Sequence, residues 1–262
     1  MAHTEDGYKD KNLFAKCFAC LELTSLNFTD NASSISAMIK KVNDFPSAFP
    51  DMPEIAAVCV FPSMLKTVRE NLARQKVEII SVSGGFPAAQ TFRTVQIAEA
   101  VNAYTEGADE IDVVLSVGKF LDGEYEEVAK DIRVIADIGR RFKVILETGA
   151  LKTSESIYKA AMIAMENGAN FIKTSTGKFE PAATHEAFMT MALAVRDFRE
   201  RTGKNIGLKA AGGIVTSKDA VIYRSIVKHV LGEDSCTPQY FRIGASRLAN
   251  NLLMDIEGKN WF

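Results

Sequence analysis

The chain runs to 262 residues, 47% of them hydrophobic and 24% charged, with 31 Lys and Arg against 33 Asp and Glu and a formal net charge of -2. A soluble chain of that length buries roughly 70 to 75% of the surface its unfolded form exposes, which supports one large core and excludes both a disordered chain and a disulfide-dependent miniature scaffold. So small a net charge draws the whole molecule neither to nucleic acid nor to an anionic bilayer, and any bound anion must be held locally.

Residues 1–12 are polar, with Glu5, Asp6, Lys9, Asp10 and Lys11 where a signal peptide would need an apolar stretch. No apolar run approaches the roughly 20 residues of a membrane span. These features predict a soluble, cytoplasmic protein with a polar extension over 1–12 and a single domain over 13–262. Cys17 and Cys20 form a C-x-x-C with no second pair to complete a zinc site, so they read as buried thiols. Cys59 sits inside an apolar run and reads as core.

Short apolar runs rich in β-branched residues predict strands over 19–24, 55–61, 77–82, 110–115, 143–147, 170–174, 205–210 and 240–244. Helical periodicity fills the gaps. Ile97, Val101 and Tyr104 recur at i, i+4, i+7, and Ile157, Ala160, Ala161 and Ala164 share one face, so each stripe is expected to pack on a sheet. Gly107 and Gly168 stand where a helix would end in a left-handed cap just before a strand. The run of Glu124, Glu126, Glu127, Lys130, Asp131 and Arg133 reads as the solvated face of a helix.

Eight strand-helix units in one domain predict an α/β fold of the TIM (β/α)8 barrel type, whose parallel strands are buried on both faces. A doubly wound open sheet is the weaker alternative, because no G-x-G-x-x-G follows the first strand. In a barrel the chemistry sits at the carboxyl ends of the strands. Polar residues inside the apolar runs are therefore informative.

Asp112, Lys173 and Lys209 each interrupt such a run. A buried charge is costly unless paired, so one reading is a structural ion pair. A single carboxylate cannot neutralise two lysines, however, and on this reasoning one cation is in excess. An ordinary lysine has a pKa near 10.4, and a neighbouring ammonium together with desolvation favours the neutral amine. Such an amine attacks a carbonyl carbon and loses water to form an iminium, an electron sink that allows an adjacent carbon-carbon bond to break. Asp112 is the candidate for moving the protons.

Gly212 and Gly213 follow the seventh predicted strand, and Gly244, Ala245 and Ser246 end the eighth. Small residues there let backbone N–H groups approach an anion, and loops 7 and 8 are where barrels often bind phosphate. The histidines, His3, His185 and His229, form no metal-ligating pair, read as surface residues and argue against a metal site built on a histidine cluster.

Several segments together resemble the deoxyribose-phosphate aldolase family: Phe-Ile-Lys-Thr-Ser-Thr-Gly at 171–177, Gly-Ala-Asp-Glu-Ile-Asp-Val-Val at 107–114, Gly-Leu-Lys-Ala-Ala-Gly-Gly at 207–213 and Arg-Ile-Gly-Ala-Ser at 242–246. Leu-Thr-Ser-Leu-Asn at 23–27, Ala-Val-Cys-Val-Phe-Pro at 57–62 and Leu-Glu-Thr-Gly at 146–149 extend the likeness over nearly the whole chain. The resemblance implies a class I aldolase, free of metal or organic cofactor, that cleaves 2-deoxy-D-ribose 5-phosphate to D-glyceraldehyde 3-phosphate and acetaldehyde in deoxyribonucleotide catabolism. By that match Lys173 forms the Schiff base, Lys209 lowers its pKa and Asp112 relays protons. Gly212, Gly213, Gly244 and Ser246 fall on phosphate-binding loops, while Thr176, Lys178, Asn27 and Cys59 match substrate-binding positions. Beyond this small phosphorylated sugar the expected partner is a second copy of the chain in a homodimer, with no nucleic acid and no membrane.

Three residues depart from the family pattern. Glu22 replaces an aspartate, Arg247 a second serine, and Phe262 stands where some relatives end in a proton-shuttling tyrosine. Two rival readings are an isomerase or lyase on another phosphate-binding barrel, which has no need of Lys173 as a nucleophile, and a weakly active relative that serves as a binding protein.

Overall fold

The computed structural model describes residues 10–262. Its strands are β1 Leu21–Thr24, β2 Ala57–Val60, β3 Glu78–Ser83, β4 Glu110–Val114, β5 Phe142–Ile145, β6 Phe171–Lys173, β7 Gly207–Ala211 and β8 Phe241–Ala245. Each pairs in parallel with the next, and β8 closes on β1 with Glu22 opposite Gly244. This is the closed eight-stranded barrel expected from the sequence, with helices between successive strands.

Strand alternation explains the apolar runs. In β2, Val58 and Val60 face outward into the main core, while Ala57 and Cys59 join Leu26, Ile80 and Val82 in a separate inner cluster. Both faces are buried, so β2, β4, β5 and β7 carry no exposed residue. The first predicted strand begins two residues early, because Ala19 ends a helix and Cys20 caps it.

That helix, Lys11–Ala19, starts inside the segment read as an extension. Asp10 accepts the N–H groups of Asn12 (2.9 Å) and Leu13 (3.2 Å), and the Lys11 ammonium bonds the Ile256 carbonyl. Residues 11 and 12 are thus an exposed first turn of this helix, tied to the rest of the chain through Lys11; 1–9 lie outside the described residues. Cys17, Cys20, Cys59 and Cys236 are all buried and unpaired by disulfides.

Two expectations about helix faces need correction. Helix Arg93–Thr105 buries Gln96, Ala100 and Ala103, whereas Val101 is 44% exposed. Small alanines permit close approach to the barrel wall, and of the expected stripe Val101 turns outward while Ile97 and Tyr104 are half-buried. In helix Tyr125–Ala136, Asp131 is buried rather than solvated, bonded by Arg93 (2.6 Å), Ser116 (2.7 Å) and Lys119 (2.7 Å). The stripe of Ile157, Ala160, Ala161 and Ala164 is buried as expected, and Gly107 and Gly168 take φ of 104° and 103° after their helices.

The chain's last aromatics lie on the barrel wall. Phe262 stacks on Phe45 (5.6 Å between centroids), Trp261 meets Phe49 edge-on, and the Asn250 carboxamide oxygen accepts from the backbone N–H of both Trp261 and Phe262. No helix among the described residues is long and apolar enough to cross a membrane.

Candidate active site

The inward side chains of β4, β6 and β7 meet at the carboxyl end of the barrel. Lys173 lies opposite Lys209 in the β6–β7 register, and both ammonium groups donate to Asp112 Oδ2, at 2.9 and 2.8 Å. Lys209 and Asp112 have no exposed surface, whereas Lys173 retains 2% and borders an open cavity of about 190 Å³. The three residues singled out in the sequence thus share one oxygen atom. Of Lys173 and Lys209, the one proposed as nucleophile reaches the cavity.

The excess-cation argument does not survive, because the interior holds more charges than those three. Lys143, fully buried on β5, lies 2.7 Å from Glu110, 3.2 Å from Glu22 and 3.2 Å from Asp112. Glu22 also bonds Lys209 and lies 3.5 Å from Arg242, which itself pairs with Glu78 at 2.8 Å. Glu22, Glu78, Glu110 and Asp112 thus face Lys143, Lys173, Lys209 and Arg242, four carboxylates for four cations. What distinguishes Lys173 is its position at the outer edge of this network.

The network separates the two lysines. Burial presses Lys173 below the ordinary lysine range; Asp112 opposes that shift and the Lys209 ammonium reinforces it. Lys209 pays the same burial penalty, but Asp112 and Glu22 outweigh it and hold its pKa above the usual range. Asp112, despite burial, is kept well below the carboxylate range by Lys143, Lys173 and Lys209. Glu22 is brought to about 2 against its own burial penalty, chiefly by Lys143 and Lys209. The arrangement favours a permanently charged Lys209, an ionised Asp112 and a Lys173 that gives up its proton readily.

The far wall of the cavity suits an anion. Gly212 and Gly213 have φ of 88° and 76°, and a Cβ on Gly212 would come within 2.6 Å of the Ala182 methyl. Ser246 precedes helix Arg247–Glu257 but makes no side-chain cap, so its hydroxyl remains available beside the N–H groups of the first turn. Arg247 lines the same wall. Gly244 also borders the cavity, but its missing side chain has a second cause: a Cβ there would lie 2.9 Å from Lys209 Cε.

Thr176 and Lys178 border the cavity on the β6 side, and the Lys178 ammonium donates to the Leu26 carbonyl at 2.6 Å. Asn27 is at the rim, with its amide committed to Ser25 (3.2 Å) and Asp30 (3.1 Å). Cys59 is fully buried and is not part of the cavity lining; burial pushes its thiol up to about 11. It belongs to the layer beneath, where its Sγ lies within 4.8 Å of carboxylate oxygens of Glu22 and Asp112. A cation could take that trio only by displacing the lysines that already bond both carboxylates. Among the described histidines, His185 and His229 are exposed; His3 lies outside the described residues.

Sequence reasoning missed Lys143, Glu110 and Arg242 as site residues and treated Glu22 only as a departure. Lys143 carried the same signal as the other two lysines, a cation beside Phe142, Val144 and Ile145. Glu110 and Asp112, two apart on one strand, point to the same face.

Known proteins resemble this chain in sequence and in fold. The model of the DeoC/LacD family aldolases matches residues 23–230. Deoxyribose-phosphate aldolase of Bos taurus is 38% identical over 255 residues, spanning 92% of this chain and 79% of that protein. A Toxoplasma gondii crystal structure, 22% identical, shares the fold with a TM-score of 0.83 over 99% of this chain and 98% of its own. The tetrameric deoxyribose phosphate aldolase of Aeropyrum pernix, 21% identical, does so with a TM-score of 0.72 over 98% and 100%. The chain belongs to the DeoC/LacD family of aldolases.

Proposed function

We propose that this aldolase reversibly cleaves 2-deoxy-D-ribose 5-phosphate to D-glyceraldehyde 3-phosphate and acetaldehyde through a Schiff base on Lys173. The observation that carries this reading is the position of Lys173 between a proton-managing network and an anion-accepting wall. The cytoplasm is the compartment proposed for the reaction, on the likeness to deoxyribose-phosphate aldolases alone.

The neutral Lys173 amine attacks the aldehyde carbon of the open-chain sugar, and the carbinolamine loses water to give an iminium. A base then removes the proton of the hydroxyl two carbons away. The oxygen's electrons form the new aldehyde, the bond from the hydroxyl-bearing carbon to the carbon beside the iminium breaks, and the bonding pair becomes the enamine double bond as the iminium nitrogen takes up its own pair. Protonation of the enamine and hydrolysis release acetaldehyde and return Lys173. Asp112 is the nearest carboxylate and handles these protons directly or through water. Lys209 remains positive throughout, keeps Asp112 ionised and favours loss of the Lys173 proton. Gly212, Gly213, Ser246 and Arg247 receive the phosphate, with Thr176 and Lys178 closing the β6 side.

Incubation with acetaldehyde and borohydride tests this reading. Reduction should leave a two-carbon adduct on Lys173, found by peptide mass analysis. An adduct elsewhere, or none, sinks the mechanism.

A further inference from the structure

Glu147 is a carboxylate that this reaction does not use. It follows β5 at the carboxyl end of the barrel, is 5% exposed, and adopts φ 54° and ψ 61°, a left-handed conformation that is unfavourable for a residue with a Cβ. Such a turn persists when its surroundings over-determine it. Here both flanking residues are tied to the neighbouring strand and its exit: Leu146 N–H donates to the Lys173 carbonyl and Thr148 N–H to the Thr174 carbonyl, each at 2.9 Å. Gly149 lies so close to the Pro181 carbonyl oxygen that a Cβ would approach it to 2.1 Å.

This turn aims the carboxylate at Thr176. The Thr176 N–H lies 3.2 and 3.3 Å from the two Glu147 oxygens, and its hydroxyl donates to Oε2 at 2.5 Å. A hydroxyl has one proton, and here it is directed to Glu147. The Thr176 oxygen is thereby left to accept the Lys178 N–H, at 3.1 Å. One buried acceptor therefore orients a hydroxyl, and that hydroxyl fixes the turn through Gly177, whose φ is 74°. Burial pushes the Glu147 carboxyl upward while the bonds from Thr176 pull it back, so these bonds help keep an ionised acceptor in place.

We infer that Glu147 is a positioning residue for substrate binding: it holds the Thr176–Lys178 turn, whose Gly177 lies against Gly212 of the anion-accepting wall, in the form that lines the cavity. The inference rests on the aldolase reading above and extends it to a residue outside the lysine network. Glu147 acts here through Thr176, without touching the substrate.

Steady-state kinetics and amide hydrogen exchange of Glu147→Ala, Glu147→Gln and Thr176→Val test it. Glu147→Ala should raise KM for deoxyribose 5-phosphate by about tenfold or more, the scale of a lost charge-assisted bond, and change kcat by less than about threefold. Glu147→Gln keeps a carbonyl oxygen able to accept both donors and should recover most of the loss. Thr176→Val breaks the same link with little change of shape, and adding Glu147→Ala to it should cost little more. Exchange at the Thr176 and Lys178 amides should quicken in Glu147→Ala. Unaltered exchange overturns the inference. So does a loss confined to kcat, since that would place Glu147 in the chemistry. If the parent does not cleave the sugar phosphate, the aldolase reading fails, and the exchange measurement still decides the role of Glu147.

Discussion

Lys173 and Lys209 stand opposite each other on adjacent strands and donate to the same oxygen of Asp112, yet only Lys209 also bonds Glu22. That one additional carboxylate divides their duties. Two anions hold Lys209 positive, while Lys173 has Asp112 and a like charge beside it.

Replacing Lys209 tests that division. Lys209→Leu removes the like charge and leaves Glu22 and Asp112 less neutralised, and both effects raise the pKa of Lys173. Activity at neutral pH should fall by about a hundredfold or more, with the acid limb of the pH-rate profile moving up by roughly one to two units. A reduced rate with an unmoved profile would show that Lys209 only supports packing.

Lys173 exchanges stability for function. Its pKa is lowered by folding, so the folded state binds the proton less tightly than the unfolded chain, and stability rises with pH from the point where the folded group loses its proton until the unfolded lysine loses its own. At neutral pH the charged form therefore costs stability. Lys173→Met should abolish turnover and acetaldehyde trapping, yet urea unfolding should show a protein at least as stable as the parent at pH 7. Asp112 would still hold Lys143 and Lys209. A clear loss of stability would mean that Lys173 is structural.

Glu22 supplies the opposite sign. Its pKa falls from the ordinary 4.5 to about 2, so its stabilising contribution is complete above pH 4.5 and is lost as the pH drops toward 2. A shift of this size corresponds to roughly 3 kcal/mol. Denaturant titrations at pH 6, 4 and 3 should show a steep loss in the parent and a shallower one in Glu22→Gln, which starts from a lower stability because Lys143 and Lys209 lose a partner. Equal slopes would remove Glu22 from the acid response.

The barrel was legible because strands buried on both faces are written as apolar runs, and Asp112, Lys173 and Lys209 were legible as charges within them. Lys143 carried the same mark but opened its predicted strand, where a cation looks like a solvated flank. Glu110 was hidden likewise at the start of β4. Helix Arg93–Thr105 misled because the periodicity weighed Ile97 and Val101 above Ala100 and Ala103, although close packing on a barrel favours the small residues. Glu147 lay in a quoted motif, but its task depends on a left-handed turn and on a hydroxyl supplied from another loop, neither of which can be read from residue type.

The anion wall yields the last prediction. Ser246 offers a free hydroxyl beside the unsatisfied N–H groups of the following helix, and Arg247 offers a guanidinium on the same wall. Phosphate held there contributes nearly equally before and during bond cleavage, so its loss should appear in KM rather than in kcat. Ser246→Ala should raise KM for deoxyribose 5-phosphate about three- to tenfold, the scale of one hydrogen bond. Arg247→Met should raise it by more and flatten its dependence on salt, because a screened charge has been removed. Neither variant should alter the rate with unphosphorylated deoxyribose, which cannot use the wall. If Arg247→Met left KM and its salt response untouched, the guanidinium would lie outside the phosphate site, and Ser246 with the helix N–H groups would bind the anion without it.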